Sequence, residues 1–102
     1  MMWWFSRPKF FDYQVEGRGL VLKLAYFRGE VWLTQKQIAQ ILNLRLPTIN
    51  EHLKKIISND GSLERVREFT IRAEDGKKYQ VKHYRFDVVE QIQDKAKPLS
   101  SF

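Results

Sequence analysis

At 102 residues, with 43% hydrophobic and 14% aromatic side chains and only 5 Gly and 3 Pro, the chain has the composition of one packed domain, which excludes a disordered tail. Its 18 basic against 12 acidic residues give a net charge of +6, and the pI near 9.7 favours a polyanionic partner. No apolar run approaches the roughly 20 residues of a membrane-spanning helix, and the absence of cysteine excludes disulfide and thiolate chemistry, so a reducing cytoplasm is the expected setting.

The opening MMWWFSRPKF has no basic region before its apolar residues and no small-residue cleavage site after them, so it does not read as a signal peptide. Residues 1–9 and 95–102 are expected to be tails on a single domain spanning 1–102. The aromatic excess at one end (Trp3, Trp4, Phe5) and Leu99 and Phe102 at the other point to a homodimer contact. From Phe10 to Val15 apolar and polar residues alternate, EGRG supplies turn chemistry, and Leu20 to Phe27 reads as the second strand of a hairpin. Val31, Trp32 and Leu33 form a third strand leading into TQKQIAQILNLRLPTINEHLKKI.

That stretch predicts two helices. Thr34 is an N-cap with Gln37 placed to complete a capping box, and Leu33 and Ile38 are placed as a hydrophobic staple. Ile38, Ile41 and Leu42 share a face, and Asn43 is suited to leave the helix in the left-handed conformation. Ala39 is small where a second helix must come close. That helix is expected to begin at Pro47, to bury Ile49, Leu53 and Ile56, and to stop at the SNDG run from Ser58 to Gly61.

EFTIRAEDGKKYQVKHYRF then reads as a hairpin. A two-residue Asp-Gly loop would mix its faces. A three-residue loop Glu74-Asp75-Gly76 pairs Ile71 with Tyr79 and Phe69 with Val81, keeps one face apolar, and puts Gly76 at a left-handed bulge position. The outer face then carries Arg72, Lys78 and Lys82, with Lys77 at the tip. A short helix from about Asp87, with Val88, Val89 and Ile92 apolar, closes the chain.

Strands, two helices, a basic hairpin and a closing helix are the order of an α+β winged helix-turn-helix with an N-terminal β-hairpin. Winding the second helix at about 100° per residue turns Pro47, Glu51, Lys54 and Lys55 outward, with Thr48 and Asn50 on the flanks. Asn50 suits an adenine edge, Glu51 a cytosine amino group, and Arg45 guanine or phosphate. Thr48, Lys54 and Lys55 suit phosphate contacts. Gln35 and Lys36 at the start of the first helix, and Arg72, Lys77, Lys78 and Lys82 on the wing, complete the expected DNA-binding set. Glu51 and Lys55, four residues apart, can also form a plain surface pair.

The motifs FFDYQVEG, VWLTQKQIAQIL, TINEHLKKI and DGKKYQVKHYRFD, spread from Phe10 to Ile92, resemble the N-terminal region of the RhuM family of virulence-associated proteins. The resemblance implies a DNA-binding-like domain. Family members are usually longer, and where they commonly carry glycine and small hydroxyl residues before the second helix, this chain has NLRLP.

Catalysis is not expected. The two histidines, His52 and His83, stand without cysteine or an H-E-x-x-H spacing, and there is no Gly-rich phosphate loop or nucleophile elbow. No cofactor, metal or small-molecule effector is implied. The expected function is sequence-specific binding of double-stranded DNA by a transcriptional or mobile-element regulator. The alternative is a protein-protein assembly module on the same scaffold.

Overall fold

Burial along the second strand changes face halfway. Leu22 and Leu24 are buried on one side of the sheet, then Ala25 and Phe27 on the other, so this strand serves two apolar clusters. The computed structural model describes residues 8–60, 63–72 and 74–96; Trp3, Trp4, Phe5, Leu99 and Phe102 lie outside them. Among the described residues the domain is a mixed α/β unit of one five-stranded antiparallel sheet, ordered β1-β2-β3-β5-β4, and three helices.

Strands β1 (Lys9–Val15) and β2 (Leu20–Phe27) form the first hairpin. Strand β3 (Glu30–Leu33) follows through a two-residue loop in which Arg28 and Gly29 both have positive φ, 53° and 78°. That is the mirror-image turn whose twist matches paired strands. Helices α1 (Gln35–Leu42) and α2 (Leu46–Asp60) come next, then a 3₁₀ turn (Leu63–Arg65), strands β4 (Val66–Arg72) and β5 (Lys78–Arg85), and helix α3 (Phe86–Ala96). No helix among the described residues is long and apolar enough to cross a membrane.

The β4–β5 register is the expected one, Ile71 with Tyr79 and Phe69 with Val81, and Gly76 has φ +83°. Nothing crowds a Cβ added at Gly76, so the backbone angle alone selects glycine there. The boundaries of α2 differ from expectation. It starts one residue before Pro47, because the Arg45 carbonyl already accepts from the Ile49 amide at 3.1 Å, and it runs past Ser58 to Asp60. Helix α3 likewise starts at Phe86 and reaches Ala96, inside the expected tail.

The main core lies between the sheet and the helices. Leu22, Leu24, Leu33, Ile38, Ile49, Leu53, Ile56, Tyr84, Val88, Val89 and Ile92 are buried there. The second cluster is on the opposite face of the sheet, where Phe69 meets Phe27, Trp32 and His83 edge-on at 5.3, 6.0 and 5.0 Å. The Arg67 guanidinium lies 4.9 Å from the Phe27 ring centre and 5.7 Å from that of Trp32, a cation over two aromatic faces. Strand β3 joins α3 through charge: Arg85 forks onto Asp87 at 3.0 and 3.2 Å, Arg65 reaches the same carboxylate at 3.1 Å, and Glu30 lies 3.6 Å from Arg85. The Arg85 hydrogen bonds hold the Asp87 carboxyl below the usual range.

Helix α1 is fixed at both ends. Thr34 Oγ1 accepts from the Gln37 amide at 3.1 Å while the Thr34 amide donates to Gln37 Oε1 at 3.0 Å, which is the expected capping box. Gln37 Nε2 also donates to the Lys23 carbonyl at 2.7 Å, tying the helix to β2. At the other end Asn43 leaves with φ 57° and ψ 44°. There Arg18, in the β1–β2 turn, donates to the carbonyls of Gln40 and Ile41. Those carbonyls have no partner within their own helix, and a guanidinium opposes the negative end of the helix dipole. Replacing Arg18 with Ala is expected to lower stability by about 1 kcal/mol, read as a lower urea midpoint with an unchanged slope.

His83 is buried, its Nδ1 donating to the Val81 carbonyl at 2.8 Å. Burial pushes the imidazole pKa below its ordinary value, against a smaller opposing effect of that hydrogen bond. The unfolded chain therefore takes up a proton here before the folded one does. Stability is full above the ordinary histidine pKa and falls as pH drops through it. His83→Leu removes this contribution, so the difference in urea midpoint between parent and variant is expected to shift against the parent between about pH 7.5 and pH 5.5, about one unit either side of the ordinary pKa.

Candidate nucleic-acid interface

Three residues, Asn43, Leu44 and Arg45, separate α1 from α2. Leu44 packs against the core from this turn, and its amide donates to the Ala39 carbonyl at 3.1 Å. With Ala39 also against the core, the two helices meet closely, and α2 packs on α1 and α3. Ile49, Leu53 and Ile56 form its buried stripe as expected. Arg45, Pro47, Glu51, Lys54 and Lys55 are exposed, while Thr48 and Asn50 are half-buried on the flanks. Among the described residues no ion pair joins Glu51 to Lys55, so both heads are available on the outward face.

The β4–β5 hairpin stands beside the Asn50 flank. Strand alternation puts Lys78, Gln80 and Lys82 on the same face as Tyr84, and the pairing adds Val66, Glu68, Thr70 and Arg72. Tyr84 and Val66 belong to the helix-side core. The face carrying Arg72, Lys78 and Lys82 therefore continues the helix-bearing face of the sheet, and the apolar face of the hairpin is turned to the second cluster. On that second face Phe69 and Ile71 pack with Trp32, because β5 pairs with β3 in a register that places Trp32 opposite Arg85 and Leu33 opposite Tyr84.

Between α2 and this hairpin runs a cleft of about 450 Å³, lined by Gln35, Asn50, Leu53, Lys54, Ile57, Ser58, Val66, Lys82 and Tyr84. A second hollow of about 420 Å³ continues it past the start of α1 along Thr34, Lys36 and Leu46, sharing Gln35, Lys82 and Tyr84. The structure thus brings Gln35, Lys36, Asn50, Lys54 and Lys82 to one groove. Arg45, Pro47, Glu51 and Lys55 stay on the outward side of α2, and Lys77 sits at the hairpin tip, where its amide donates to Asp75 at 2.9 Å. Glu68, opposite Lys82 in the ladder, is the acidic member of the hairpin's groove face.

Two residues have settings that the sequence alone did not indicate. Gln35 Nε2 donates to the Tyr84 hydroxyl at 3.2 Å, linking the first helix to β5 across the groove floor. Asn50 Oδ1 is buried and has no hydrogen-bond partner among the described residues. A helical asparagine 100° round from the centre of the buried stripe reads as a flank reader. Asn50 lines the cleft with Val66, Lys82 and Tyr84, residues more than 15 positions further along the chain. Leu46 is exposed at the mouth of the second hollow.

No protein-family model matches the chain, nor does any curated protein or solved structure.

A buried carbonyl without a donor destabilises the fold, and asparagine is a poorer helix former than leucine. Asn50→Leu is therefore expected to raise stability by about 1 kcal/mol, measured as a higher urea midpoint.

Proposed function

We propose that the protein binds double-stranded DNA as a winged helix-turn-helix, with α2 in the major groove and the β4–β5 hairpin as the wing. The observation that carries this reading is the groove whose two walls, one helical and one from the hairpin, both bring lysines to it, Lys54 from α2 and Lys82 from β5. Lys36 stands at its far end, and Arg72 and Lys78 extend the same face of the wing. Cations on both sides of an elongated groove suit a sugar-phosphate strand, which carries one negative charge per nucleotide and presents apolar sugar edges between them. The apolar floor of Leu53, Ile57 and Val66 meets those edges.

In this arrangement the outward face of α2 reads bases. Arg45 at its entrance presents a fork of donors to guanine or phosphate, Glu51 accepts from a cytosine amino group, and Lys55 with Thr48 contacts the backbone on the far flank. Asn50, lining the groove, offers the donors of its amide nitrogen to a phosphate of the strand seated there. A transcriptional or mobile-element regulator is the role such a module fills, in keeping with the resemblance to the RhuM family.

Counterion release gives the test. Each phosphate neutralised contributes about 0.9 to the slope of log affinity against log salt. Lys54→Gln and Lys82→Gln are each expected to weaken binding to every duplex and to reduce that slope by about 0.9, with unchanged circular dichroism. Lys9→Gln, at the opposite edge of the sheet, leaves the slope alone. Undetectable binding of the parent to random duplex at low salt, or slopes indifferent to both groove lysines, would falsify this function.

A further inference from the structure

The two edges of the sheet are built differently. Edge strand β4 carries Arg67, Glu68 and Arg72, charges of the kind that keep an edge from pairing with another chain. Edge strand β1, seven residues long, carries Lys9 and Asp12, and Asp12 is already engaged by Lys23 at 3.6 Å. Its other side chains include Phe10, Phe11 and Tyr13, exposed by 45, 36 and 41%. Among the described residues β1 pairs with β2 alone, so its outer row of backbone amides and carbonyls has no strand beside it.

We infer that β1 pairs antiparallel with β1 of a second copy, joining two domains into one continuous sheet about a two-fold axis at Phe11. In this register Phe11 faces the partner subunit's Phe11, Phe10 faces the partner subunit's Asp12, and Lys9 faces the partner subunit's Tyr13. No like charges meet. Sliding the strands two positions in one direction sets Asp12 against its own mate, which is destabilising. Sliding two positions in the other direction shortens the pairing to three residues at the end of each strand. A register centred on Tyr13 leaves Phe10 uncovered. Of the registers that cover all three aromatic residues, the Phe11 axis is the one that keeps the two Asp12 carboxylates from facing each other.

The symmetry has a consequence for the groove. A two-fold axis perpendicular to a sheet keeps the helices of both copies on the same side, so both grooves face one ligand. From β5 of one copy through β3, β2 and β1 to β5 of the other there are seven strand-to-strand steps. At about 4.8 Å each they place the two Lys82-bearing strands about 34 Å apart, which is one turn of B-DNA and the separation of half-sites for paired helix-turn-helix domains. This spacing, unlike the dimer, rests on the DNA reading above.

The intact chain is tested first without DNA. Sedimentation is expected to show a dimer that Phe11→Lys converts to monomer by placing two ammonium groups in opposition. Because the chain has no cysteine, single cysteines report the register independently of how well Phe11→Lys folds. Directly opposed residues have Cα atoms about 4.5–5.5 Å apart, within disulfide reach, so Phe11→Cys cross-links under mild oxidation. Tyr13→Cys, about 14 Å from its mate, does not. A parent that stays monomeric at its highest soluble concentration, leaving the edge to other occupants, overturns the proposal. Cross-linking through Tyr13→Cys in place of Phe11→Cys does the same. With duplexes, two half-sites one turn apart should bind the parent at least about tenfold more tightly than half-sites shifted by half a turn. Loss of the dimer in sedimentation and loss of the salt slope are separate readouts, so failure of either idea leaves the other identifiable.

Discussion

An eight-residue helix cannot hold itself together in water, because nucleation costs more than so few internal hydrogen bonds return, and the groove side of this protein is built on one. Helix α1 persists because its ends are held from outside: by the Thr34–Gln37 box and the Gln37 bond to β2 at its start, and by Arg18 at its finish. Ile38, fully buried, and Ala39 give α2 its seat. The angle at which α2 presents Arg45, Glu51 and Lys55 is thus set by polar contacts that reach back to the first hairpin. Without the β1–β2 turn the last carbonyls of α1 would look to solvent, and the turn Asn43–Arg45 would lose its anchor.

Local chemistry made much of this legible in the sequence. The capping box, the left-handed Asn43 and the Gly76 bulge register follow from side chains acting within a few residues of themselves, and all are present as read. What could not be read were contacts between distant segments. Arg18 looked like turn chemistry, since nothing in EGRG says that its guanidinium meets carbonyls 22 and 23 residues away. The second cluster was hidden in LVLKLAYF, because burial moves from Leu22 and Leu24 to Ala25 and Phe27 while simple alternation assumes one buried face per strand. In the groove, Lys54 and Lys82 were legible as cations; that they line one cleft depends on how β5 pairs with β3.

The cluster on the far face explains how the hairpin can carry so much charge. A hairpin held by its groove face would need apolar residues there, and the lysines would be excluded. Here Phe69, wedged among Phe27, Trp32 and His83, anchors β4 and β5 from behind. The groove face is left with Thr70, Arg72, Lys78, Gln80 and Lys82, none of which belongs to either core. The aromatic anchor and the lysines are thereby assigned to opposite faces of the same two strands.

The same separation fails at one position. Asn50 and Tyr84 lie where the groove floor meets the main core, and there the demands conflict. Tyr84 resolves the conflict by burying its ring while its hydroxyl accepts from Gln35. Asn50 does not, since its carbonyl is buried without a donor among the described residues. Buried acceptors in folded proteins are rarely left this way, and local departures from good packing chemistry concentrate where a site answers to a ligand as well as to the fold. Leucine at position 50 would satisfy the helix, the stripe and the hairpin together. An amide kept there against that preference, in the cleft shared by Lys54 and Lys82, fits the proposed DNA site, because its Nδ2 hydrogens are donors of the kind a phosphate accepts.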